Sequence, residues 1–252
     1  MGEIRNIQAL RIETRQVVVS PTDLYGVHRK LLGVALLLVL AHGGAMALKY
    51  YAGNDIAFGL VPLFDFYEEH NAPTYFSSLN LLLTSALLLA IARLARGSDR
   101  DHGHAWRILA GGFLFMSLDE FADLRHILAR AVESLSGAQL EAVPLLSVAW
   151  TVPVAVLLVV LACYFVPFLL RLKKVYTVNF AIAGAAFVFA AMGFENIEGH
   201  HVAQTQGVRD VAFMLMVTAE ETLEIFSILY FQYFLLRYIN EYHRNIFLRL
   251  TY

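Results

Sequence analysis

Long apolar runs with no charged residue dominate this chain. Residues 31–48, 74–92, 143–170 and 175–194 hold no Asp, Glu, Lys or Arg. About 20 apolar residues in a helix cross the roughly 30 Å of a bilayer's hydrocarbon, so each run predicts a membrane-spanning helix. Two further segments, 108–127 and 211–236, are apolar in the same way but are interrupted by acids. Together the six segments predict an all-α, polytopic membrane protein with six transmembrane helices. Residues 55–66 are too short to span, and Pro62 would interrupt a helix there, so this piece is expected to lie at the membrane interface. Residues 1–30 read as a cytoplasmic N-terminal segment and 31–252 as the six-helix transmembrane domain.

Charge fixes the expected orientation. With six spans both ends share a side. That side carries Lys/Arg at 5, 11, 15, 29, 30, 93, 96, 100, 107, 171, 173, 174, 237, 244 and 249. The other side carries only Lys49, Arg125, Arg130 and Arg209. Cytoplasmic loops are enriched in Lys and Arg, so the bias puts both termini in the cytoplasm. It also makes a plasma or inner membrane the expected location. No apolar stretch near the N-terminus is long enough for a signal-peptide core, so the first span is read as uncleaved.

Composition agrees with this picture. The 252 residues are 58% hydrophobic and 16% charged, with a mean hydropathy of +0.59, against about 25% charged in soluble domains. That composition excludes a basic nucleic-acid-binding domain, while a net charge of −2 says nothing about partners. The single cysteine, Cys163, excludes an internal disulfide and a paired-cysteine zinc site.

Candidate chemistry lies in acids that a bilayer disfavours. A charged side chain at the centre of a span costs about 2.5–3.5 kcal/mol on insertion scales. The third span reads Glu120-x-x-Asp123-x-x-His126, and the fifth ends Glu195-x-x-Glu198-x-x-His201. A carboxylate and a histidine at i and i+3 are neighbours on one helix face and can grip one ion together. The sixth span adds Glu220, Glu221 and Glu224 within one arc. At a rise of about 1.5 Å per residue, all three clusters fall in the outer half of the membrane. His42 falls there too, and is expected to be a histidine hydrogen-bonded within the bundle. The outer-loop group Glu68, Glu69 and His70 is expected to be solvated.

The ligand pattern resembles ferritin-like di-metal carboxylate proteins, in which two Glu-x-x-His helices and a Glu from each of two others hold the metals. The resemblance is confined to about 20 residues. It departs from the pattern in using Asp123 in one pair and in lacking a clear fourth Glu-bearing helix. It implies a divalent metal, iron or manganese before zinc, held by Glu120, Asp123, His126, Glu195, Glu198, His201, Glu221 and Glu224. On that reading the chain is a metal-dependent enzyme, for instance an oxidoreductase acting on a hydrophobic small molecule in the lipid bilayer. Three alternatives stay open. The same acids suit a proton or metal-cation transporter or channel. They also suit an intramembrane hydrolase, or structural ion pairs in a non-catalytic membrane subunit.

Overall fold

The computed structural model describes residues 14–19, 21–95, 100–122, 124, 151–242 and 246–251. Every described element between 21 and 242 is helical. Helix α1 spans Pro21–Tyr50, and a short α2 spans Leu60–Phe64. Helix α3 spans Ala72–Leu94, α4 Arg100–Ala122, α5 Thr151–Arg171 and α6 Lys174–Val188. A π-helical stretch, Phe189–Phe194, leads directly into α7, Glu195–Gln204. Helix α8 spans Val211–Tyr242. The all-helical expectation needs one addition. Strands β1 (Thr14–Val19) and β2 (Ile246–Thr251) pair antiparallel, Thr14 opposite Thr251 and Val19 opposite Ile246, so the two ends of the chain lie side by side.

Among the described residues, three helical segments are long and apolar enough to cross a membrane: Asp23–Tyr50, Ala72–Leu94 and Lys174–Gln204. Val156–Arg171 is apolar but shorter. The first helix starts ten residues before the predicted span, at Pro21, where a proline's fixed φ suits a helix N-terminus. Asn71 caps α3, its side-chain oxygen accepting from the Thr74 N–H at 3.2 Å, with Pro73 in the first turn. The predicted fifth span does not stop at Phe194; the chain stays helical through the π stretch to Gln204.

Two apolar clusters sit at opposite ends of the bundle. One gathers Leu88, Ile91, Trp106, Tyr176, Phe180, Leu235 and Ile239. The other gathers Ala35, Leu38, Phe66, Phe213, Val217, Ile225 and Leu229. Polar contacts also tie neighbouring helices together. Ser78 and Ser117 each donate to the other's backbone carbonyl, at 2.8 and 2.9 Å, fastening α3 to α4. Ser85 donates to the Ala110 carbonyl at 2.7 Å. Without water to take their place, such bonds hold helices together where hydrophobic burial gives no net drive.

Candidate functional site

The π stretch controls where the fifth-span acids point. A π turn adds one residue to an α-helix and rotates everything after it by about 100°. Here it falls immediately before Glu195, so it decides the face on which Glu198 emerges. Glu198 is buried, 9% exposed. Its carboxyl group lies beside that of Glu220 on α8. Glu195 lies near Glu198, while Glu221 and Glu224 lie near Glu220. The acids of the predicted fifth and sixth spans therefore do come together.

Two carboxylates contain no donor. A hydrogen bond between them exists only if they hold a proton, and like charges this close favour sharing one. Glu198 Oε1 is buried and accepts from no donor among the described residues. A buried acceptor left empty costs about 1–3 kcal/mol.

Glu120 and Glu224 line a common narrow cleft with Ser77, Asn80 and Phe187, with room for roughly one water molecule. This brings an acid of the predicted third span beside one of the sixth. Asp123 and His126, the rest of the third-span motif, lie outside the described residues.

His201 does not join Glu198. Its Nε2 donates to Asp210 Oδ1 at 2.9 Å. The same oxygen accepts the Phe213 N–H at 2.9 Å and so caps α8. The Phe213 amide, and then the His201 ring, hold the Asp210 carboxyl below the usual carboxylate range. His200 is exposed and bonds Gln204. Among the described residues, no group of three or more His, Cys, Asp or Glu side chains is arranged to hold a metal ion.

A folded cap covers the C-terminal end of α1. The stretch between α1 and α3 turns back through a 3-10 turn, Ala57–Gly59, and α2. Lys49 and the buried Asp65 form a 2.8 Å ion pair. Asn71 Nδ2 donates to the Asp65 carbonyl at 2.6 Å. Tyr67 of the cap lies under the Arg209 guanidinium, 4.7 Å from ring to cation. Glu68, Glu69 and His70 are exposed, as expected of a solvated loop. Phe58 and Ile56 are also exposed, in keeping with an interfacial stretch.

Two groups escaped the sequence reading. Glu220 was visible as one of three clustered acids, but only the packing of α7 on α8 makes it the partner of Glu198. Asp210 carried a helix-start signal, an acid three residues before the first turn's N–H groups, yet nothing in sequence tied it to His201.

Residues 31–238 match the family described as Domain of unknown function (DUF8692), and the chain belongs to that family. No curated protein and no solved structure matches it.

Proposed function

We propose that this member of the DUF8692 family is a six-span membrane protein that binds and passes protons, or a small cation in their place, through the carboxyl pair Glu198–Glu220. The termini lie in the cytoplasm, and the protein sits in a plasma or inner membrane as a multi-pass protein. The observation that carries the reading is the close approach of the two carboxyl groups, with Glu198 buried. Intramembrane acids mark ion and proton routes. Pairing of the two chain ends, β1 with β2, supports an even number of spans. Helices α4 and α8 supply the spans that carry acids and complete the six.

The test is proton flux into liposomes holding the full chain and an internal pH dye. Wild-type protein is expected to conduct or exchange protons, and Glu198→Gln and Glu220→Gln to lose that flux while remaining folded. Liposomes that stay proton-tight with wild-type protein would overturn the reading.

A second reading rests on the cleft shared by Glu120 and Glu224. In it, iron, manganese or zinc is held by Glu120, Asp123, His126, Glu195, Glu198, His201, Glu221 and Glu224, and the protein acts as an oxidoreductase on a lipid-soluble substrate. His201 would have to leave Asp210 to take part. Stoichiometric metal in elemental analysis of the purified protein would favour this reading over the first.

A further inference from the structure

Two helices give the depth of the cap. His42 stands six residues before Leu48, where the charge-free run of α1 ends, which is about 9 Å along the helix axis. Its Nε2 lies 2.9 Å from Thr218 Oγ1. Thr218 stands seven residues past Val211, the start of α8, which is about 10 Å into that apolar helix. The His42 ring also meets the cap. It stacks on Phe66 at 4.1 Å, and its Nδ1 lies 3.1 Å from both the Phe64 carbonyl oxygen and the Phe66 N–H. The cap therefore reaches down alongside α1, to a level that lies inside the apolar runs of both helices.

The backbone at that level is provided for. Non-helical backbone is tolerated at membrane depth only where protein groups take up its N–H and C=O. Asn71 Nδ2 donates to the Pro62 and Asp65 carbonyls at 3.2 and 2.6 Å. The Asp65 N–H donates to the Val61 carbonyl at 2.8 Å, and the Tyr67 N–H to Asp65 Oδ1 at 3.1 Å. His42 Nδ1 serves Phe64 and Phe66. The buried Asp65 carboxylate is matched by Lys49 at 2.8 Å, as charges inside a membrane are almost always paired.

The turn that sends the chain back holds Ala57 and Phe58 at φ 40° and 58°, a region that residues other than glycine seldom occupy. Asn54 Oδ1 secures it by accepting from the Ala57 N–H at 2.7 Å. Past the turn the segment has two apolar sides. Ala57 and Val61 pack on Ala45 of α1, with Met46 and Phe64 beside them. Ile56, Phe58, Leu60 and Leu63 are exposed, and residues 56–64 hold no charge.

We infer that residues 56–66 are a re-entrant segment, and that acyl chains of the leaflet at the C-terminal end of α1 cover the face made by Ile56, Phe58, Leu60 and Leu63. Depth selects lipid as the occupant, because the segment packs level with Ala45, inside the charge-free run of α1. The same helix exposes Leu37 and Leu40, as a lipid-facing span does. The inference rests on α1 crossing the membrane and is independent of the carboxyl pair.

Spin labels on the full chain in liposomes test it. In a Cys163→Ser background, single labels are placed through Leu60→Cys, Leu63→Cys, Leu40→Cys and Glu69→Cys. Relaxation by oxygen, which concentrates in hydrocarbon, is compared with relaxation by a water-soluble nickel chelate. Leu40 is the lipid reference, and the exposed Glu69 is the water reference. Labels at Leu60 and Leu63 are expected to shift with Leu40 toward oxygen and away from nickel. Labels there that follow Glu69, while Leu40 keeps to oxygen, would overturn the re-entrant segment and leave the span standing. Labels reached by neither agent, with dipolar broadening that vanishes on dilution with unlabelled protein, would place a second copy on this face and overturn the lipid assignment. A Leu40 label reached by nickel would instead remove the membrane crossing of α1, and this inference with it.

Discussion

Gln232 offers the clearest measure of how α8 is held against α3. It is 1% exposed. Its Nε2 donates to the Asn80 carbonyl and to Thr84 Oγ1, both at 3.0 Å, and reaches Asn80 Oδ1 at 3.4 Å. Thr84 Oγ1 already gives its proton to the Asn80 carbonyl at 2.8 Å, so all three groups face Gln232 as acceptors. Replacing the amide by a hydrocarbon of similar size, Gln232→Leu, removes two good bonds. It leaves the Asn80 carbonyl and the Thr84 hydroxyl with other partners. Interhelical polar contacts in membranes contribute roughly 0.6–1.7 kcal/mol, so the expected loss is about 1 kcal/mol. Gln232→Glu keeps the shape but supplies no donor when ionised. It sets a carboxylate against three acceptors and should cost about 2.5 kcal/mol or more. Detergent-driven unfolding of both variants, followed by helical circular dichroism, gives the two values. Equal losses, within about 0.5 kcal/mol, would refute the assignment of Gln232 as donor. A Gln232→Leu loss above about 3 kcal/mol would show that packing, not hydrogen bonding, dominates the site.

Other outcomes follow from the same geometry. Asn71→Ala removes the α3 cap and the brace on the Asp65 carbonyl, and should lower stability by about 1–2 kcal/mol in thermal unfolding. Asp210 is held below the ordinary carboxylate range by the Phe213 amide and His201. Its contribution is therefore complete above that range and fades as pH falls through its depressed value; the acid side of the stability profile should flatten in Asp210→Asn. Glu241 is likewise lowered, first by Lys173 and then by Tyr176, so breaking it with Glu241→Gln should loosen α6 from α8 at neutral pH but change little in strong acid. Hydrogen exchange at the start of α6 reads that effect, and equal exchange at both pH values would contradict it.

Membrane character, the helical class and the presence of buried acids were legible in the chain because they depend on composition and run length alone. Charge-free runs such as 74–92 have no stable place in water, and helices satisfy their own backbone groups in lipid. The spacing of Glu195, Glu198 and His201 was equally plain. It did not say which way they face. A one-residue π insertion before Glu195 resets that face, and such a bulge leaves no composition signal. Tertiary packing then settled the partners. It set Glu198 against Glu220, turned His201 to Asp210, and folded the stretch after α1 back so that Phe64 and Phe66 bracket His42. Each of these contacts joins residues from different helices or loops. Local pattern fixes what a helix carries, whereas the crossing of helices decides what its side chains meet.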